Sequence, residues 1–342
     1  MTDDIRILLL ADSHLGFDLP VRPRVERRRR GNDFLANYAA ALQPALTGEV
    51  DIVVHAGDVF DRPSIGPAVA YQALEPLRRV ADQGIPVFIV PGNHEGSRLP
   101  HARFASHSQV HVFDLPRTFV AEVRGTRIAL AGFPYERRDV RTQFPALLEQ
   151  SGWGGERVEL RVLCMHHCAE GATVGARDYT FTTASDVIRL RDVPREFSAV
   201  LSGHIHRQQV LTADLHDRPL ETPVLYPGSI ERTSFAEIGE PKGFLVVHLS
   251  RSDGRVRWEF RQLPARPMIR EDIATDGIDP SALDSAVRAI VAAAPLDSVL
   301  SIRIQGRLTD AHWRKVSAAH LRTFVPATMN VGIVPSDRLD PP

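Results

Sequence analysis

Residues 52–63 read IVVHAGDVFDRP, and this stretch decides the fold. Ile52, Val53 and Val54 make the β-branched run that a strand buried on both faces requires. The run stops at Gly57-Asp58. Open α/β sheets place their chemistry at such strand ends. A carboxylate there, behind a glycine that admits close approach to the backbone, invites a cation.

Working outward, four more apolar runs end in polar clusters. Ile5–Ala11 meets Asp12-Ser13-His14, and Val87–Val90 meets Pro91-Gly92-Asn93-His94-Glu95. Arg161–Met165 meets His166-His167, and Ala199–Ser202 meets Gly203-His204-Ile205-His206. With Asp58 these supply imidazole and oxygen donors, a mixture that suits Mn, Fe or Zn better than Ca or a thiolate-selected metal. Asp58 can bridge two ions while three residues complete each side. Two ions about 3.5–4 Å apart clamp a phosphate and hold a bridging hydroxide in line for attack. A lone Asp-x-His or His-x-His is usually a surface accident; five clusters in order, each closing an apolar run, are not.

The chain has 342 residues, 43% of them hydrophobic, which is enough for one large and one small domain. A net charge of −1 neither demands nor excludes nucleic acid as partner. Basic residues are almost all arginine, which suits bidentate phosphate contact. Two cysteines, Cys164 and Cys168, make no disulfide framework and fit a reducing compartment. Flanking His166, they read as packing rather than as a zinc-thiolate site. The first apolar run is too short for a signal sequence or a membrane span, so a soluble, cytoplasmic protein is expected.

Helices are expected from Asn32 or Asp33 to Leu46, from Pro67 to Gln83 and over 139–150, with further strands at 110–113, 119–123, 127–131, 224–226, 244–249 and 256–262. The segment 264–267 marks a boundary between domains 1–263 and 268–336. The second should be small and α+β, with helices over 281–294 and 309–320 and strands over 299–304 and 329–334.

The order D-x-H, GD-x-x-D, GNH-E, H, GH-x-H between Asp12 and His206 resembles the calcineurin-like metallophosphoesterase superfamily. That resemblance implies an α/β fold, a two-sheet β-sandwich flanked by helices. It places one metal on Asp12, His14, Asp58 and His206, and the other on Asp58, Asn93, His166 and His204. It makes His94 the catalytic imidazole beside the metals and Asp61 the carboxylate that orients it. Arg62 would be the phosphate-binding arginine, or else an exposed loop arginine. His167, read apart from the resemblance, either hydrogen-bonds phosphate or packs behind the ligands.

Later segments resemble the SbcD/Mre11 DNA repair nucleases: 188–194, Phe197–His204, Tyr226-Pro-Gly-Ser-Ile-Glu-Arg232, Phe235-Ala-Glu237 and Lys242-Gly-Phe244. The implied function is a two-metal, Mn-dependent phosphodiesterase acting on DNA as exonuclease or endonuclease, with Fe, Zn or Mg as other metals. The implied cap is the small C-terminal α+β domain, and the implied partners are a SbcC/Rad50-like ATPase and a second copy of the chain. Two departures matter. Many Mre11 proteins carry histidine where Asp61 stands, and this chain ends at Pro342, before the segment that grips the ATPase. The run Arg22–Gly31, with Arg27, Arg28, Arg29 and Arg30 at its core, reads either as a phosphate-backbone contact or as a solvated lead-in to a helix. The alternative function is a phosphodiesterase or phosphatase for a small nucleotide or a phosphoprotein.

Overall fold

The computed structural model describes residues 4–19, 27–95, 107–175, 177–275 and 277–335. The chain divides into two compact units: 1–17, 33–232 and 239–264 form the first, and 18–32, 233–238 and 265–342 the second. The last segment of the first unit ends at 264 and the second unit continues from 265. The segments 18–32 and 233–238 group with the second unit, which no periodicity announced.

Two six-stranded sheets build the first unit. One contains β1 (Ile5–Leu10), β2 (Ile52–His55), β3 (Val87–Ile89), β4 (Val110–Val112), β15 (Gly243–Leu249) and β16 (Val256–Gln262), in the order β16-β15-β1-β2-β3-β4. Strands β1 to β4 run parallel, and β15 is antiparallel to β1.

The other contains β5 (Arg117–Val123), β6 (Thr126–Gly132), β7 (Leu160–Met165), β12 (Ala199–Ser202), β13 (Gln209–Ala213) and β14 (Pro219–Tyr226), in the order β13-β14-β12-β7-β6-β5. Its four central strands are parallel. Between β7 and β12 lie two short ladders, β8 (Cys168–Ala169) with β11 (Val187–Ile188) and β9 (Thr173–Val174) with β10 (Tyr179–Thr180).

Strand alternation sorts the core into layers. Ile7 and Leu9 of β1, Ile52 and Val54 of β2, and Val162 and Cys164 of β7 share the buried cluster between the sheets. Leu8 and Leu10 face the opposite way and pack with Phe34, Tyr38 and Leu77 from the helices Arg30–Ala41 and Pro67–Asp82. On the other sheet, Leu163 and Met165 pack with Phe144 and Leu148 of the helix Val140–Ser151. Each fully buried Leu or Ile is worth about 1.5–3 kcal/mol, so these strands contribute heavily to the stability of the core. Cys164 and Cys168 fall in different clusters, so they do not form a thiolate pair.

The second unit is a three-stranded parallel sheet, β17 (Met268–Ala274), β18 (Val299–Gln305) and β19 (Asn330–Pro335), in that order. The helix Pro280–Ala293 packs Leu283 and Val287 onto Leu300, Ile302 and Ile304. Asp279 caps that helix by accepting from the N–H of Ser281 and Ala282 at 2.7 and 2.9 Å. The helix expected over 309–320 is two pieces, Asp310–Lys315 and Ala318–Leu321, because Ser317 starts a new cap on the N–H of His320. Among the described residues no helix is long and apolar enough to cross a membrane.

Candidate metal centre

The loops after β1 and β2 are zipped together by main-chain bonds. Asp12 N donates to Gly57 O at 2.9 Å, His14 N to Asp58 O at 3.0 Å and Leu15 N to Val59 O at 2.8 Å. Asp12, His14 and Asp58 therefore leave neighbouring strand ends side by side, each with φ between +42° and +51°. Left-handed backbone at non-glycine residues costs free energy and is typical of functional sites held by their surroundings. The glycines of the motifs answer to crowding. A Cβ on Gly57 would lie 2.1 Å from His166 Nδ1, and one on Gly92 would lie 2.2 Å from Asp58 Oδ1.

Donor atoms from all five strand ends converge. Asp58 Oδ2 lies 3.3 Å from His166 Nε2, 4.0 Å from His14 Nε2 and 3.9 Å from His94 Nε2. Asp12 Oδ1 lies 3.9 Å from both His166 Nε2 and His206 Nε2. Asn93 Oδ1 is 2.8 Å from His204 Nδ1 and 3.1 Å from His166 Nε2, while His14 and His206 approach at 3.0 Å through their Nε2 atoms. All seven expected ligands thus meet at one place.

Electrostatics explains what such a cluster accommodates. Burial pushes the Asp12 carboxyl up to about 6. Burial also opposes ionisation of Asp58, but the charge and hydrogen bond of His166 hold it well below the usual carboxylate range. His166, despite its burial, is pushed up to about 9 by Asp58 and then Asp12. Burial lowers His14 and His204 to about 3, leaving neutral imidazoles. Two buried carboxylates ringed by imidazoles, two of them held neutral, and an amide oxygen are the donor set of divalent cations, and the convergence of their atoms fits that use.

Outer residues fix the donor side chains. Glu95, buried, accepts from Phe60 N at 2.8 Å and Gly92 N at 2.7 Å, stapling the Asp58 loop to the Asn93-His94 loop. His166 Nδ1 donates to Ala56 O at 2.6 Å, and His204 N donates to Asp12 Oδ1 at 3.1 Å. Main-chain contacts tie the Tyr226–Arg232 segment to the centre. Ala11 bridges to Ser229, Ser229 N donates to His206 O at 3.1 Å, and Tyr226 OH donates to His167 O at 3.0 Å. The buried Lys242 ammonium donates to His206 O at 2.8 Å and to Glu240 Oε2 at 3.0 Å.

The geometry corrects two expectations. Asp61 does touch His94, but through its main-chain carbonyl oxygen, 2.7 Å from His94 Nδ1; its carboxylate lies 3.4 Å from Arg62. His167 does not face the donor cluster. It is buried in the segment just past the end of β7. There it accepts from Glu136 N at 2.9 Å and stacks on Tyr135 at 4.8 Å.

Arg62 is placed in the loop after Asp58 with its side chain 62% exposed. Arg27–Arg30 belong to the second unit, where Arg27 Nη2 donates to Pro326 O at 3.0 Å and Arg28 N to Ala327 O at 2.9 Å. Arg22 and Arg24 of that run lie outside the described residues. Sequence reasoning missed Tyr135, whose ring is 5.5 Å from His204 and 6.1 Å from His166. It follows β6 as the ligands follow their strands, but tyrosine is not a donor type that draws attention in a metal motif.

Comparison with known proteins gives three kinds of match. The profile described as calcineurin-like phosphoesterase matches residues 5–208. A protein from Thermoplasma acidophilum, named DNA double-strand break repair protein Mre11, is 25% identical over 78% of this chain and 68% of its own length. An uncharacterized metallophosphoesterase of Bacillus subtilis, YhaO, is 25% identical over 81% of this chain and 64% of its own length. The solved structure of TT1561 of Thermus thermophilus aligns over 75% of this chain and 99% of that one, at 12% identity and a TM-score of 0.45.

Proposed function

This chain belongs to the calcineurin-like phosphoesterase family, and from that premise we propose that it is a metal-dependent phosphodiesterase acting on DNA. The observation that carries the proposal is the convergence of Asp12, His14, Asp58, Asn93, His166, His204 and His206, with His94 beside them at 3.9 Å from Asp58. The DNA assignment is supported by the relative named for DNA double-strand break repair, similar over most of this chain.

Two divalent ions, Mn in this reading, supply Lewis acidity and a water-derived nucleophile when bound. The chain's own residues do the rest. Asp58 would be shared by the two ligand sets, which Asp12, Asn93 and the four imidazoles would complete. His94 donates its Nδ1 proton to the Asp61 carbonyl, which turns Nε2 toward the donor cluster. Protonated at Nε2, His94 would hand a proton to the leaving oxygen, a contribution of roughly 10²–10⁴-fold. Arg62 and the run Arg27–Arg30 are assigned to substrate phosphates; His167 is not. In the same reading the protein works in the cytoplasm, with an ATPase subunit of the SbcC/Rad50 type and a second copy of itself as partners.

The test is Mn-dependent cleavage of a labelled DNA duplex and its matched single strand, beside bis-p-nitrophenyl phosphate. Cleavage of either DNA supports the reading. Hydrolysis of the small diester with both DNAs intact would move the assignment to a small nucleotide or phosphoprotein substrate.

A further inference from the structure

The second unit contains a cavity of about 520 Å³ whose walls include three of the arginines assigned above to substrate phosphates. Four arginines line it, Arg27, Arg29, Arg30 and Arg322, and one carboxylate, Asp18. Asp18 is already engaged: its Oδ2 accepts the main-chain N–H of Arg30 at 3.1 Å, and its Oδ1 lies 3.4 Å from Arg29 Nη1. Arg27 is held at the wall by the carbonyls it binds, Pro326 O at 3.0 Å among them. Burial and the neighbouring charges of Arg322 and Arg29 disfavour its charged form. Like charges held together beside a cavity are costly, and a bound anion removes that cost with charge-assisted hydrogen bonds.

The other surfaces of the cavity are not those of a bare anion site. Phe235 presents a half-buried ring, while Leu300 and Leu321, 1% and 5% exposed, are core residues that close the lining and offer little surface themselves. Hydroxyls come from Thr233 and Ser234. The volume lies within the roughly 300–1,000 Å³ typical of small-ligand sites. Guanidinium groups that fork onto a phosphoryl group, beside an apolar and aromatic surface, match a ligand carrying both a phosphate and a flat apolar ring.

We propose that this cavity binds an organic phosphate of the mononucleotide class, its phosphoryl group on the arginines and its base against Phe235. The phosphate comes from a free nucleotide or from the terminal phosphate of a nucleic acid. The proposal does not rest on the metal centre, because every lining residue belongs to the second unit.

The test uses the full chain after EDTA treatment, so that the metal centre offers no phosphate site. Isothermal titration with deoxyadenosine monophosphate should show binding at least about tenfold tighter than that of deoxyadenosine or inorganic phosphate alone, a difference of about 1.4 kcal/mol or more. Arg322→Glu, at an exposed position, should weaken it at least about tenfold with an unchanged thermal melt, and Arg29→Ala should act in the same direction.

Competition by a 5′-phosphorylated oligonucleotide and not by its 5′-hydroxyl form identifies a DNA end as the source. Binding without such competition identifies a free nucleotide. No binding after EDTA, or binding unchanged in Arg322→Glu, overturns the proposal. A chain that binds the mononucleotide yet hydrolyses no diester would sink the phosphodiesterase reading and leave this one standing.

Discussion

His94 Nδ1 lies 2.7 Å from the main-chain carbonyl oxygen of Asp61. A carbonyl only accepts, so Nδ1 carries the proton and Nε2 is the working nitrogen. The orientation of the imidazole is therefore set by backbone, not by a carboxylate. Asp61→Asn keeps that carbonyl, and it should lower kcat for a small phosphodiester by less than about tenfold, or about 1.4 kcal/mol. A loss of two orders of magnitude or more would restore the carboxylate to the role.

Gly57 tests the crowding around His166. An alanine there is strained by φ of +102° and places its Cβ 2.1 Å from His166 Nδ1. Either the loop carrying Asp58 or the His166 ring must move. Gly57→Ala should fold with a loss of about 1–3 kcal/mol and bind less than the full complement of divalent metal by elemental analysis. Full occupancy in a stable variant would show that the ligands tolerate displacement.

Lys242 is buried and joins Glu240 to the carbonyl of His206. Lys242→Met removes that partner while Arg207 still pairs with Glu240 at 3.0 Å, so the loss should be about 1–3 kcal/mol. Urea denaturation should show this loss, and Lys242→Met combined with Glu240→Gln should recover part of it. Equal destabilisation in the single and double variants would argue against the ion pair as the cause.

A pH dependence follows from Asp51, at the base of β2. Burial pushes its carboxyl up, but hydrogen bonds from the Arg6 guanidinium and N–H, and from Arg124, outweigh this and hold it below the usual carboxylate value. A depressed folded-state pKa stabilises above the unfolded value and loses that contribution as pH falls through the folded value. Asp51→Asn should therefore be less stable than wild type at pH 7, with the gap closing in strong acid. A gap that stays constant down to that range would exclude the ion pair as its origin.

The sequence made the site far more legible than its surroundings. Asp12, Asp58, Asn93, His166 and His204 follow apolar runs that had to be buried parallel strands, so their convergence came with the fold. The strands β13 and β17 escaped notice. Gln209–Ala213 is an edge strand, and Met268–Ala274 interleaves Arg270, Glu271 and Asp272 among its apolar residues, so neither gives the run that marks a core strand.

Side-chain direction was equally hidden. Sequence places His166 and His167 together, and only the folded chain sets one among the donors and the other against Glu136 N and Tyr135. The carbonyl of Asp61 is invisible in sequence because every residue has one.

The measurement that tests the account most directly pairs elemental analysis of bound metal with bis-p-nitrophenyl phosphate hydrolysis, for wild type and His94→Ala. The account predicts two divalent ions per chain in both proteins, and hydrolysis that falls roughly 10²–10⁴-fold in the variant. Fewer than two ions in the Mn-saturated wild type, or undiminished hydrolysis in His94→Ala, would contradict it.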